Sequence, residues 1–290
     1  MSGKGLTVLG LIVSLLAVAA PAQPPSVPPG MQWLYGSGEG GAISVQAYRA
    51  FRDYVLAVAR HRPSQTVVLA PDATLAAPTF YSCVGRPLAV VLDVDETALL
   101  NLGFEYDDAN HPGRPYDQQR WNQWERTGAA AVAPVPGAAA ALAAIRRAGV
   151  TVIFNSNRLA EYAPQTEAAL NGAGLGPVHH GPTQTRGRTL YLRGDVAPGS
   201  TKDPRRETIV SYYCVIAMAG DQLGDFTDLF NADGVGVAAR RAAATAEPLA
   251  RMWGHGWFVL PNPVYGTGIH GTIDEVFPAN RRWTPIQGGH

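Results

Sequence analysis

Residues 88–97 read Leu-Ala-Val-Val-Leu-Asp-Val-Asp-Glu-Thr, an apolar run that ends in two carboxylates one residue apart. A short run of aliphatic and β-branched residues predicts a parallel strand that is buried on both faces. Asp93 and Asp95 follow at its carboxyl end, where open α/β sheets place their ligands. Carboxylates at the edge of a core are costly unless a cation or a proton compensates them. The stretch therefore predicts a hard metal ion and an Asp that can act as a nucleophile.

Strand and helix signals alternate after this stretch. Apolar runs predict further strands, and amphipathic or alanine-rich segments with caps and stops predict the helices between them. Such alternation is typical of a Rossmann-like parallel sheet with helices on both faces, which is the α/β fold that we expect. The predicted strands are 88–92, 150–154, 213–219 and 257–260, and the predicted helices are 136–148, 164–171 and 205–212.

A long segment, about 98–135, separates the first of these strands from the helix that begins near Pro136. A loop of this length inside a compact domain is usually functional. We therefore expect an insertion that forms a small, mostly helical cap over the strand ends. Its aromatic residues include Phe104, Tyr106, Tyr116, Trp121 and Trp124.

The N-terminal residues have the pattern of an export signal. Lys4 precedes an apolar run, and Ala20-Pro21-Ala22 offers a small-x-small cleavage site. A membrane anchor is the alternative, but the run is short for a bilayer span, and no cysteine near the cleavage site could carry a lipid. We expect a secreted or periplasmic protein with no stable membrane anchor. The expected division is signal peptide 1–22, proline-rich linker 23–30 and folded domain 31–290.

Composition and net charge limit the kinds of partner that we expect for this protein. The chain has 290 residues, of which 46% are hydrophobic, enough for one large core with a cap. Lys plus Arg and Asp plus Glu both count 23, so the formal net charge is zero. A balanced charge does not favour a nucleic-acid polymer or an anionic membrane surface as partner. We expect a small-molecule substrate, and the sequence leaves a homodimer open.

A glycine-rich stretch, Gly36-Ser-Gly-Glu-Gly-Gly41, matches the pattern of dinucleotide-binding loops. Such loops follow a buried strand, and residues 31–35 do not have the pattern of one. We instead expect a flexible entry to a helix that Ser44 caps. Apolar residues at spacings of three and four then predict one buried helix face. The residues of this face are Tyr48, Phe51, Val55 and Val58.

The chain has two cysteines, Cys83 and Cys214, and each stands shortly before a predicted core strand. They could therefore lie close together, and in an exported protein such a pair can oxidise. Two buried free thiols are the alternative. The sequence alone leaves both readings open.

Four polar clusters fall at predicted strand ends or helix starts. Parallel strands bring their carboxyl ends to one edge of a sheet, so the clusters can converge there. Together they contain a carboxylate that can attack phosphorus, a second that can protonate the leaving oxygen, and a Lys and a hydroxyl that can hold phosphoryl oxygens. They predict phosphoryl transfer, with Mg²⁺ held by carboxylate oxygens. The clusters are Asp93-Val-Asp95-Glu-Thr97, Ser156-Asn157-Arg158, Lys202, and Gly220-Asp221-Gln-Leu-Gly-Asp225.

This ordered set resembles the four motifs of the haloacid dehalogenase (HAD) superfamily and, more narrowly, the bacterial class C acid phosphatases of subfamily IIIB, which include 5′-nucleotidase lipoproteins. The resemblance covers nearly all of the chain after residue 31 and implies a HAD-like core and an exported, Mg²⁺-dependent acid phosphatase. The chain departs from it in three respects: it lacks the lipid-bearing cysteine, it has Asn155 where an apolar residue is expected, and its glycine-rich start is unusual. Further segments that share the resemblance are 37–48, Trp121-x-x-Trp124 and 260–266.

The resemblance also implies a role for each site residue. Asp93 would be the nucleophile and a Mg²⁺ ligand, and Asp95 would be the general acid and base, with its backbone carbonyl on the metal. Asp221 would be the third protein ligand, and Asp225 would support the water shell of the metal. The phosphate would be held by Ser156, Asn157 and Lys202.

The aromatic residues of the expected cap bear on the substrate. Aromatic faces bind bases without reading their hydrogen bonds, so nucleoside monophosphates are candidate substrates. The alternative is that the rings pack the cap onto the core. A protein of another class, an exported binding or adhesion protein on an inactive phosphatase scaffold, is the alternative function. The rings that could stack on a base are Phe104, Tyr106, Trp121 and Trp124.

Overall fold

The computed structural model describes residues 26–182 and 185–285. The predicted signal peptide, residues 1–22, lies outside the described residues. Within those ranges, no helix is both long enough and apolar enough to cross a bilayer.

Strands of the described residues form one large sheet and two small antiparallel pairs. The small pairs are β1 with β2, and β4 with β5. The strands are β1 (Gln65–Leu69), β2 (Phe80–Ser82), β3 (Leu88–Leu92), β4 (Leu99–Leu100), β5 (Ala133–Pro134), β6 (Thr151–Leu159), β7 (Leu190–Arg193), β8 (Cys214–Gly220) and β9 (Trp257–Val259).

Helices connect these strands and flank the sheet. A π-helical turn at Gln32–Gly36 joins the first two, and short 3₁₀ turns interrupt several of the later loops. The helices are α1 (Pro29–Met31), α2 (Gly38–Ala59), α3 (Leu102–Ala109), α4 (Gln118–Thr127), α5 (Ala138–Arg147), α6 (Ala163–Gly172), α7 (Asp203–Tyr212), α8 (Val237–Thr245) and α9 (Ile273–Val276).

The large sheet is parallel throughout, in the order β7-β6-β3-β8-β9. This arrangement confirms the predicted α/β fold. The sequence pattern also located β3, β6, β8 and β9, whereas β7 was not predicted. Leu92 at the end of β3 lies opposite Phe154 of β6 and Ala219 of β8. The polar residues that follow these three positions therefore lie at one edge of the sheet.

Both faces of β3 are buried, which explains why its sequence is apolar without alternation. Leu88, Val90 and Leu92 pack in the core on the side of α2 and α5, whereas Ala89 and Val91 pack on the side of α7 and β1. Helices on both faces leave the carboxyl edge of the sheet open for ligands.

Helix α2 begins earlier than the sequence pattern predicts. Its N-cap is Ser37, whose Oγ accepts a hydrogen bond from the Gly40 backbone N–H at 2.9 Å. The glycine-rich stretch therefore belongs to the helix, and Ser44 is a buried residue inside it rather than its cap. Close packing explains Gly40, because a Cβ there would overlap the backbone oxygen of Trp33. The predicted apolar face is confirmed, since Tyr48, Phe51 and Val55 are buried.

A disulfide joins Cys83 and Cys214, whose Cα atoms are 4.7 Å apart. Cys214 is the first residue of β8, and its backbone N–H donates to the carbonyl of Pro87 at 2.8 Å, just before β3. Of the two alternatives for the cysteines, the structure therefore has the disulfide. The bond links the loop before β3 to the first residue of the neighbouring strand β8.

The segment between β3 and α5 forms the cap. It consists of α3 and α4, and the antiparallel pair of β4 with β5 closes its base. Trp124 packs inside the cap against Gly103 and Gly128, where any Cβ would overlap its ring. The cap is thus small and mostly helical, as predicted.

Candidate active site

Asp93 is the first residue after β3, and its backbone N–H donates to Ala219 of β8 at 3.0 Å. The carboxylate is buried and contacts Nζ of Lys202, which immediately precedes α7. Burial raises the pKa of Asp93 well above its usual value, although the Lys202 ammonium opposes the shift. Lys202 also donates to Asp225 Oδ1 at 2.6 Å, so one ammonium links two carboxylates.

Asp95 is held by donors on one of its two oxygens. Arg158 donates to Oδ1 from Nε at 2.9 Å and from a terminal nitrogen at 2.8 Å, and Asn101 donates to the same atom at 2.9 Å. Burial alone would raise the pKa of Asp95, but the Arg158 guanidinium holds it below the usual value. Among the described residues, Oδ2 has only a 3.4 Å contact from the Ser156 hydroxyl. That oxygen is therefore the one available for proton transfer.

Asp221 follows β8 and lies beside the other acids. Thr97 donates to its Oδ1 at 2.9 Å, and Gln222 and Asn262 donate to its Oδ2 at 3.0 and 2.8 Å. Burial, together with the charge of Asp225, raises the pKa of Asp221 to about 6. Asn262, which follows β9, therefore helps to orient the Asp221 carboxylate at the end of the neighbouring strand β8.

Three buried carboxylates converge at this edge of the sheet. One oxygen each from Asp93, Asp221 and Asp225 lie within 4.8 Å of one another, and no other such group occurs among residues 26–182 and 185–285. Asp225 accepts from the Gln222 backbone N–H at 2.9 Å and packs against Gly220, where a Cβ would overlap it. Three carboxylates beside one ammonium keep excess negative charge, and such a set of oxygen donors fits a hard divalent cation.

The residues predicted to hold phosphate divide into two groups. Asn157 and Lys202 line the cavity above the carboxylates. Ser156 does not line it, because its side chain is fully buried and its hydroxyl accepts from the Arg158 backbone N–H at 3.1 Å while facing Asp95. The geometry therefore favours a supporting contact of Ser156 with Asp95 over a direct contact with phosphate.

Arg205 explains the unexpected polar residue in β6. This buried guanidinium donates to Asn155 Oδ1 at 2.6 Å and to Asn157 Oδ1 at 2.5 Å. Burial, together with the charge of Arg206, lowers the pKa of Arg205 to about 10. Asn155 thus supplies an acceptor for a buried cation, which an apolar residue could not do.

Glu96 is a residue of this site whose role the sequence reasoning missed. It has a left-handed backbone, with φ of 51°, and lies buried directly after Asp95. Its carboxylate accepts hydrogen bonds from the hydroxyls of Tyr265 and Tyr35 and from the Asn101 backbone N–H. Burial, reinforced by the charge of Asp95, raises the pKa of Glu96 to about 8. Backbone strain of this kind clusters at functional sites.

A cavity of about 610 Å³ opens above the acids and continues beneath the cap. Of the four rings predicted to stack on a base, Phe104 and Trp121 line it, with centroids 4.8 Å apart and planes at 81°. Tyr106 and Trp124 do not line it. Tyr116, which was not among the four, also lines the cavity.

The parallel sheet, the acids at its carboxyl edge and the adjacent ammonium define an enzyme that hydrolyses phosphomonoesters. The sequence matches the family described as HAD superfamily, subfamily IIIB (acid phosphatase), over residues 42–268, and the chain belongs to that family. The predicted resemblance is therefore confirmed, and the alternative of a binding or adhesion protein loses its support.

Solved structures share the fold. The class C acid phosphatase from Bacillus anthracis is similar at 24% identity, with a TM-score of 0.63, over 82% of this chain and 84% of that chain. The crystal structure of the same protein with tungstate bound gives the same values. No protein with a curated description matches the sequence.

Proposed function

We propose that this protein is an exported, Mg²⁺-dependent acid phosphatase that hydrolyses nucleoside monophosphates through an aspartyl-phosphate intermediate. The observation that carries the proposal is the contact of Lys202 with both Asp93 and Asp225, beside a third buried carboxylate. An ammonium next to a nucleophilic carboxylate is suited to neutralising the charge that a phosphoryl group brings.

The buried acids would hold the metal. Asp93 and Asp221 would supply carboxylate oxygens and Asp95 its backbone carbonyl, while Asp225 would support the surrounding water. When bound, Mg²⁺ supplies Lewis-acid stabilisation of the negative charge on phosphoryl oxygens. The donor set supports this assignment, because all of these atoms are hard oxygens in a buried site.

The chain's own residues account for the proton and bond changes. An Asp93 oxygen attacks phosphorus, the ester P–O bond breaks, and Asp95 gives its proton to the departing alkoxide. Asp95 then takes a proton from the water that attacks the phosphoenzyme, which releases inorganic phosphate and restores Asp93. Lys202 and the amide of Asn157 hold the phosphoryl oxygens during both steps. The open Oδ2 of Asp95 supports its role as the proton carrier.

The rings of the cavity support a nucleotide substrate. Trp121 and Tyr116 line the cavity beside Phe104 and would offer aromatic faces to a planar leaving group, whereas the Arg120 guanidinium already covers one face of Phe104. Binding of tungstate by the Bacillus anthracis protein also supports an oxyanion site in this fold. Turnover of nucleoside monophosphates should exceed that of small aliphatic phosphates, and equal kcat/KM for the two classes would count against base stacking.

The disulfide supports export, because such bonds persist in oxidising compartments. Residues 1–22 would direct export and be removed near Ala22. Cell fractionation followed by mass determination of the mature protein tests this, and an intact N-terminus in the cytoplasm would contradict it.

Replacement of the nucleophile tests the enzyme mechanism. Asp93→Asn should lower kcat by at least about 10³-fold, since an amide is not a competent nucleophile. Asp53→Asn, which changes an exposed carboxylate of α2, is the matched control and should retain activity. A chelator should abolish activity and Mg²⁺ should restore it. Full activity of a folded Asp93→Asn variant would overturn the proposal.

A further inference from the structure

Glu105 is a carboxylate in the wall of the catalytic cavity to which no role has yet been given. It lies in the first turn of α3, where its backbone N–H donates to Asn101 at 3.0 Å. The residue is only 5% exposed. Within residues 26–182 and 185–285, its carboxylate has no hydrogen-bond or ion-pair partner.

The carboxylate of Glu105 faces the cavity, so a bound substrate that covers it without pairing it would bury an unpaired charge, which is costly. The nearby cation Arg120 does not pair with this carboxylate, because its guanidinium bonds to Asp107 at 3.0 Å and Asp108 at 2.6 Å. That guanidinium also lies over the Phe104 ring, 4.2 Å from its centroid. Burial raises the pKa of Glu105 to about 7, and the charge of Asp108 adds to the shift while Arg120 opposes it.

The surroundings of Glu105 indicate what would complete its bonding. Its neighbours in the cavity wall include Phe104, Trp121 and Tyr116. Asp95, the proposed proton donor to the leaving oxygen, lines the same cavity as Glu105. A group that meets Glu105 from within this cavity therefore belongs to the leaving alcohol that Asp95 would protonate.

We propose that Glu105 accepts a hydrogen bond from a hydroxyl of the leaving alcohol, so that the cavity selects phosphomonoesters of polyols such as ribose. A carboxylate has only acceptors when it is ionised and keeps an acceptor oxygen when it is protonated, so hydroxyl donors match both states. Selection follows because a leaving group without that hydroxyl leaves the carboxylate buried and unpaired. This inference rests on the proposed phosphatase function and adds a specificity determinant to it.

Three substrates test the inference on the wild-type enzyme. They are adenosine 5′-monophosphate, its 2′,3′-dideoxy analogue and phenyl phosphate, which lacks any hydroxyl on the leaving group. The ribose compound should exceed the dideoxy compound in kcat/KM by about tenfold, as expected for a hydrogen bond to a charged or buried acceptor. Equal kcat/KM for these two would overturn the inference without need of any variant.

Two variants locate the effect. Glu105→Leu should reduce the ratio to about one, and Glu105→Gln, which keeps one acceptor oxygen, should leave a ratio of about threefold. Phenyl phosphate turnover should not fall in Glu105→Leu and should rise towards that of the ribose compound, because the variant has no carboxylate that this substrate leaves unpaired. Glu207→Gln, which removes an exposed carboxylate from α7, is the matched control and should keep the wild-type ratio.

The outcomes separate the two levels of the proposal. A wild-type ratio that survives in a folded Glu105→Leu variant refutes the role of Glu105 while leaving the phosphatase function intact. A wild-type enzyme that hydrolyses none of the three substrates with Mg²⁺ present contradicts the proposed function itself and the inference with it.

Discussion

Arg205 donates to the side-chain oxygen of Asn157 at 2.5 Å. Because that oxygen is engaged, the amide nitrogen of Asn157 is the atom left to donate into the cavity. The guanidinium is buried and has no carboxylate within ion-pair distance among the described residues, so its charge also adds to the positive potential behind the proposed phosphate site.

Arg205→Lys should therefore weaken phosphate binding. A lysine ammonium is a point donor and cannot hold both Asn155 and Asn157 as the planar guanidinium does. The inhibition constant for inorganic phosphate should rise by about tenfold, with kcat less affected. Asn155→Ala removes the other acceptor of the same guanidinium and should have a smaller effect. Unchanged phosphate inhibition in Arg205→Lys would show that Arg205 does not position Asn157.

The hydroxyl of Thr97 orients Asp221, to which it donates at 2.9 Å. Thr97→Val keeps the shape but removes this bond, and loss of such a supporting contact typically weakens a metal site by about 10–100-fold. Calorimetric titration of the metal-free protein with Mg²⁺ measures the affinity. Thr97→Ser retains the hydroxyl and should bind nearly as the wild type does; equal affinity in the valine variant would refute the role.

Glu125 makes stability depend on pH. This cap residue accepts from the Leu159 backbone N–H at 2.8 Å, and burial raises its pKa from 4.5 to about 7. Between these values the folded state binds a proton that the unfolded chain has released, so this group makes the free energy of unfolding fall as pH rises. Above about pH 7 its contribution is constant.

Comparison of Glu125→Gln with the wild type isolates the contribution of Glu125 to the pH dependence of stability. The wild type should lose more stability than the variant between about pH 4.5 and 7, as measured by urea unfolding at several pH values. Glu39→Gln, which removes an exposed carboxylate from α2, should follow the wild-type curve. Parallel curves for Glu125→Gln and the wild type would exclude the effect.

The Cys83–Cys214 bond should stabilise the fold, since it closes a loop with a sequence separation of 131 residues. Replacing both cysteines with Ala should lower the free energy of unfolding by about 2–4 kcal/mol. A reductant should destabilise the wild type and have no effect on the double variant. Equal stability of the double variant and the oxidised wild type would mean that the disulfide does not stabilise the fold.

The sheet was predictable because its strands are buried on both faces, and such strands appear in sequence as apolar runs. Leu88 to Leu92 is the clearest case. Helix α2 was harder to predict, because glycines usually mark flexible chain. Close packing against Trp33 explains Gly40 inside the helix, and the sequence does not show that contact. Strand β7 was missed because its four residues are too few to show a period.

The residues of the site also differ in how well the sequence predicts them. The acids and Lys202 were predictable because they sit at strand ends and helix starts, which parallel topology brings together. Arg205 and Glu105 were not predictable in their roles, since charged residues are usually exposed and nothing local shows that these two are buried. Arg205 contacts Asn155 and Asn157, which lie 50 and 48 residues earlier in the chain, and Glu105 faces a cavity whose wall comes from several distant segments.

The antiparallel pair of β4 with β5 brings the two ends of the cap together, with Leu100 opposite Ala133. The proposed catalytic acids precede this junction, and Lys202 and Asp221 come long after it. Asn101 donates to Asp95 and has to stay with these residues, so the segment that can be exchanged as one cassette is 102–132. Chimeras joined within this junction would combine a new substrate specificity with the same catalytic residues. Mutations confined to this cassette during evolution would likewise change which alcohol is accepted and leave the catalytic residues unchanged.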